Sequence, residues 1–326
     1  MNENLEIRCR EFIENRDTLK RVFRMENSYL YPVCANIFCT RGIRAEEGRL
    51  RQCDALLKAN MGIFSNFRGT LRMPVVSMLA VMEAPDLKIK EMGDHYRLLK
   101  QYFFGSQYLA LVAMLLTETE PAHPMGEVAA RGRTVYDRMK KEHPFLTSSE
   151  DSVFAVLLAL SEKSDEQLIA EMEDCYDKLK TRFHSSNDVQ AASHVLALAE
   201  GTTLEKTARM IALFDLLADR GRKYGKYHEL PVLAAVSALP AALSDLVPDI
   251  LAADEFLAGQ KGYSVWSVSK KTRLMHAAML TAGAYTPHEA AEAAAMGSTV
   301  AMIAAQQAAM CAVIASSAAA HSAANS

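Results

Sequence analysis

The sequence predicts an all-α protein assembled from tandem helical hairpins of about 40 residues, either an α-solenoid or a closed α/α array, with helical caps at both ends. Three observations predict it. First, four segments read alike: Leu56-Leu57-Lys58, Leu98-Leu99-Lys100, Arg138-Met139-Lys140 and Lys178-Leu179-Lys180. Their lysines fall 42, 40 and 40 residues apart, and Tyr96, Tyr136 and Tyr176 each stand four residues before one of them. Second, an apolar signature follows each segment: Leu79–Glu83, Met114–Glu118, Leu158–Glu162 and Leu196–Glu200. Third, apolar residues recur at spacings of three and four, and period-two alternation is confined to short stretches such as Tyr263–Val268.

Taken in order, residues 1–50 read as an N-terminal helical cap. It opens on the stripe Leu5, Cys9, Phe12, Ile13, Leu19 and breaks near Arg41-Gly42. Residues 51–240 hold the hairpins, the fifth being degenerate (Phe214–Leu217 to Val236–Leu239). The first helix of each hairpin ends near its lysine, where a cation suits the negative end of the helix dipole. The second helix is apolar almost all round, over Tyr108–Leu116, Val153–Leu160, Val189–Leu198 and Leu230–Leu239. Such a helix must be covered from several sides, so the second helices form the expected buried layer. Capping boxes are expected at Ser164–Gln167, Thr202–Glu205 and Thr286–Glu289. Pro85, Pro121, Pro124, Pro144, Pro231, Pro240 and Pro248 are expected at breaks, because proline inside a helix deletes a hydrogen bond and clashes with the preceding turn. Residues 241–326 add C-terminal helices with an Ala-rich closing helix, and Ala293–Ala320 carries no charge over 28 residues. Weak alanine hydropathy, Gln306-Gln307 and the lack of basic anchors make it an expected buried helix rather than a membrane span. One continuous body is expected.

Half of the composition is hydrophobic and the net charge is −3, which points to no polyanionic partner. The six cysteines form no CxxC, and the acidic start Met1–Glu6 lacks the pattern of a secretory leader. A cytoplasmic protein with reduced thiols is the expectation.

Glu14–Leu19, the run Asn60–Gly69 with its Phe64-Ser65-Asn66-Phe67-Arg68-Gly69 core, and the Ala-rich tail resemble the bacterial family known as domain of unknown function 4003. The resemblance spans almost the whole chain. It implies a bacterial cytoplasmic protein and brings no catalytic residue with it.

Chemistry is expected in the loops that precede the second helices, which equivalent hairpins place along one edge. The candidate ligand-binding residues are Asn66, Arg68, Ser106, Tyr108, His228 and Glu229. Arg68 offers a forked donor suited to a carboxylate or phosphate. The loop serines supply either anion-binding helix N-termini or plain N-caps. His228-Glu229 is the best acid–base fragment, although HExxH is absent, with Val232 four residues after the histidine. No motif calls for a metal or cofactor. The leading reading is a non-catalytic helical-repeat protein that binds a protein or peptide partner. The alternative is a helical enzyme or small-ligand binder with a pocket near Arg68, Tyr108 and His228. A nucleic-acid role through Arg41–Arg51 and Arg68–Arg72 ranks third.

Overall fold

A computed structural model describes residues 3–24, 26–119, 123–264 and 267–285. Among these residues the protein is all-helical, with fourteen α-helices and no strand. The chain runs α1 (Glu3–Val22), α2 (Leu30–Thr40), α3 (Glu47–Asn60), α4 (Arg72–Val81), α5 (Pro85–Leu99), α6 (Gln107–Leu116) and α7 (Met125–Glu142). It continues through α8 (Asp151–Ala159), α9 (Asp165–Lys180), α10 (Ser186–Leu198), α11 (Thr203–Asp219), α12 (Leu230–Ser237), α13 (Leu243–Ala258) and α14 (Lys270–Tyr285). The Ala-rich segment and the expected cap at Thr286 lie outside the described residues.

Two kinds of helix alternate. The odd-numbered helices from α3 onward are amphipathic: α9, for example, buries Leu168, Met172, Cys175, Tyr176 and Leu179 and faces solvent elsewhere. It begins in a complete capping box at Ser164 and Gln167, with Asp165 and Glu166 in its first turn and Lys178 and Lys180 in its last. Thr202 and Glu205 close the same box on α11. The even-numbered helices are mostly buried. Leu109–Leu116 of α6, Asp151–Ala159 of α8 and Leu230–Ser237 of α12 are buried without a break. Each such leucine or valine removed from water contributes about 1.5–3 kcal/mol, so these short helices owe their stability to packing rather than to length.

Pro85 opens α5, Pro231 lies in the first turn of α12, and Pro144 and Pro240 lie between helices. Pro248 departs from expectation and lies inside α13, whose remaining turns pack against α14.

The described residues fall into two compact units, 14–162 and 3–13 with 163–285, and the division runs through α1. In the first unit α3, α5 and α7 neighbour one another in turn, while α4 packs on α2 and α8 on α6. A close approach of α7 to α8 depends on Gly132, where a Cβ would stand 2.9 Å from a Val156 methyl. In the second unit α9, α11 and α13 neighbour one another in turn, and α12 lies between α10 and α14. There the Tyr263 hydroxyl meets His276 Nδ1 at 3.0 Å, and Phe12 of α1 lies against the same imidazole.

A cation closes the C-terminal end of each second helix from α4 to α12, where helix geometry leaves carbonyls without partners. Arg49 of α3 donates to the Ala80 and Met82 carbonyls, the latter at 2.7 Å. Lys88 of α5 donates to Thr117, and Arg131 of α7 to Ala159 and Ser161. Arg209 of α11 donates to Ser237, Leu239 and Ala241. At the end of α10 the ammonium groups of Lys163 and Lys206 take Ala199, and Glu171 of α9 holds both lysines.

Candidate functional site

The loops before the second helices carry aromatic or imidazole side chains with opposite fates. Before α4, α6 and α10 one ring points inward and seats the loop on the next amphipathic helix. Phe67 meets Tyr96 of α5 edge-on, with ring centroids 5.3 Å apart. Phe103 meets Tyr136 of α7 at 5.8 Å, and Phe183 meets Phe214 of α11 at 5.1 Å. Cations stack on these pairs, Arg133 on Phe103 and Tyr136, Arg182 on Phe183 and Phe214.

These contacts bring three loops of the first unit to one end. Asn66 donates to the Tyr96 hydroxyl at 2.6 Å, and Gly105 of the following loop lies so close to that hydroxyl that a Cβ would stand 2.9 Å from it. Arg133 donates to the Tyr102 carbonyl, while Tyr136, one turn further on, donates to the Ser148 carbonyl of the third loop. The lysines of the sequence pattern stand at the same end. Lys58, Lys100 and Lys140 are exposed; Lys58 pairs with Asp54, Lys100 lies over the Tyr96 ring, and Lys140 donates to the Thr147 carbonyl.

Other rings of these loops point into solvent. Phe64, Phe104 and Phe145 are 94%, 95% and 98% exposed, the three most exposed large apolar side chains among the described residues. In the second unit the corresponding loops present His184, exposed, and Tyr227, 59% exposed. An apolar ring in water contributes nothing to folding, so core packing does not account for these positions. The sequence contained this signal as an aromatic or histidine four to six residues after each lysine of the series (Phe64, Phe104, Phe145, His184). It is masked in the sequence by adjoining polar residues that carry more chemistry.

The six candidate residues divide between the units. Asn66, Arg68, Ser106 and Tyr108 belong to the first. Asn66 serves the Tyr96 contact, and the half-buried Arg68 donates to the Met61 carbonyl of its own loop at 3.4 Å. Ser106 is the N-cap of α6, its hydroxyl accepting the Leu109 N–H at 3.1 Å, and Tyr108 is half-buried in the first turn. Of the other loop serines, Ser185 donates to the Asp188 carboxylate rather than capping α10, and Ser148 gives its N–H to Asp151 at 2.7 Å.

His228 and Glu229 belong to the second unit. His228 is exposed and its Nε2 stands 3.6 Å from the carboxylate of the buried Glu229, which accepts the Tyr227 N–H at 3.3 Å. Glu229 fills the space over Gly225, where a Cβ would be 2.0 Å away. Burial, then the Glu229 charge, drives the Tyr224 hydroxyl well above its ordinary pKa, and burial raises the Asp188 carboxyl. Among the described residues no three His, Cys, Asp or Glu side chains are placed to hold a metal ion. Burial pushes the Cys34 thiol up to about 12 and that of Cys175 up to about 11, so neither is poised as a nucleophile.

The described residues define the class, an all-α protein. The chain belongs to the family described as Protein of unknown function (DUF4003), whose model matches residues 15–308. It is also similar to the "Uncharacterized protein YeaA" of Bacillus subtilis (strain 168), 28% identical over 201 residues. That match covers 59% of this chain and 59% of the relative, so the chain spans under two thirds of the relative's length. No solved structure matches the chain. No helix among the described residues is long and apolar enough to cross a membrane.

Proposed function

We propose that this chain is a cytoplasmic, non-catalytic array of tandem helical hairpins that binds a protein or peptide partner along the loop edge of its hairpins. The observation that carries the reading is the row Phe64, Phe104 and Phe145, each almost fully exposed at a corresponding loop. Aromatic anchors supply much of the free energy of protein interfaces, and this edge presents them on loops already fixed by buried partners. The recurrence of cation-closed second helices and of Phe–Tyr seats supports the tandem arrangement. A photo-cross-linking residue at position 104 tests it in the full chain within bacterial cells. The expected result is a discrete cross-linked protein that is absent when the residue is placed at exposed Glu127. Identical patterns from both positions overturn the proposal.

A further inference from the structure

Resting on that reading, we infer that the partner element is an acidic amphipathic helix, laid across Phe64, Phe104 and Phe145 with one apolar side chain against each ring. Spacing supplies the first argument. The three rings stand on loops of neighbouring hairpins, and neighbouring packed helices lie roughly 8–10 Å apart. Two turns of an α-helix rise about 11 Å, so an apolar residue repeated every seven positions meets successive rings.

Backbone chemistry supplies the second. A peptide that adds as a strand needs unpaired backbone groups on its receptor, and at this edge many are already in use. The N–H groups of Ser65, Phe67 and Arg68 donate within the first loop. Those of Gln101, Tyr102 and Phe103 donate to α5, and those of Leu146, Thr147 and Ser148 are taken in the third loop. A helix satisfies its own backbone and asks only for side-chain contacts.

Charge supplies the third. Arg68, Lys100, Lys140 and Lys141 flank the rings, and the neighbouring Lys58 shares Asp54 with Arg72. Asp94 and Asp137 are each paired with an arginine of their own helix, Arg97 and Arg133. Glu142 and Glu150 are the opposing carboxylates, both near Phe145. The balance favours an acidic partner.

The test uses full-length protein and a fluorescent synthetic helix of three heptads, with leucine once per heptad on one face and glutamate along its flanks. Anisotropy should show saturable binding that weakens at least about tenfold in F64A/F104A/F145A, a loss typical of removing several aromatic anchors. Circular dichroism should show an unchanged helical content and melting point for that variant. A lysine-flanked version of the peptide should bind at least about tenfold more weakly at low salt, where charge complementarity is least screened. Absence of binding by the glutamate peptide, or equal binding by the triple variant, overturns the inference. Preferential binding to phosphatidylserine vesicles or a single-stranded oligonucleotide overturns it as well. If the peptide fails while the residue-104 cross-link still traps a protein, the partner's chemistry is wrong and the binding edge survives; if both fail, the proposed function falls with it.

Discussion

At the first turn of α8, burial pushes the Asp151 carboxyl up to about 7, although the Ser148 N–H that it accepts pulls the other way. Its folded pKa lies above the unfolded value, so the native state keeps a proton that the unfolded chain releases. The resulting stability is complete below about pH 4 and is lost as pH rises through about 7. Asp151→Asn keeps an acceptor for Ser148 and cannot ionise. It should match the wild type near pH 4 and exceed it at pH 8 by roughly 2–4 kcal/mol, each pKa unit being worth about 1.4. Urea midpoints measured at the two pH values check this, and parallel profiles would sink it. The sequence shows Glu150-Asp151 as an ordinary acidic helix start; only the cover supplied by neighbouring helices separates the half-buried glutamate from the buried aspartate. Ser106, by contrast, was legible as a cap, because its partner lies three residues away on the same helix.

Among the helices, the second members of each pair were readable to within three residues: the apolar runs Tyr108–Leu116 and Val189–Leu198 became Gln107–Leu116 and Ser186–Leu198. A helix apolar on all faces has one fate in a soluble protein. The cations that close them were not readable, since their partners are backbone carbonyls about thirty residues away, and a carbonyl has no letter in the sequence. Arg209 is the strongest case, with three carbonyls at and beyond the end of α12 on one guanidinium. Arg209→Ala should cost about 1.5–3 kcal/mol, the range for charge-assisted hydrogen bonds, and Arg209→Lys less, because an ammonium cannot span all three acceptors. Chemical denaturation followed by circular dichroism checks the order, and an alanine variant as stable as the wild type would show these contacts to be incidental. Pro248 was misread for a related reason: the penalty of proline inside a helix is local, and packing of α13 on α14 offsets it.

Over the whole molecule, the periodic lysines and tyrosines pointed to the helical pairs, yet they hid the loop edge, whose rings are defined by what fails to cover them. Phe67 and Phe64 are the same letter three residues apart; one is buried against Tyr96 and the other is 94% exposed. The basic N-terminal segments rank third as a binding surface in the sequence, and the fold engages most of their arginines internally. Arg41 pairs with Glu118, Arg44 with Glu14, and Arg51 and Arg21 with Glu47. Arg49 is committed to the carbonyls at the end of α4, and Arg72 to Asp54 and Glu26. Affinity for a polyanion comes from cations free to displace its counterions, and cations held by carboxylates or carbonyls displace few. With a net charge of −3 added, the protein should pass through immobilised heparin and single-stranded DNA unretained even at about 50 mM salt, where such binding is strongest. Retention that falls steeply as salt is raised would mean these pairs open in solution, and would return Arg41–Arg51 and Arg68–Arg72 to consideration as a binding surface.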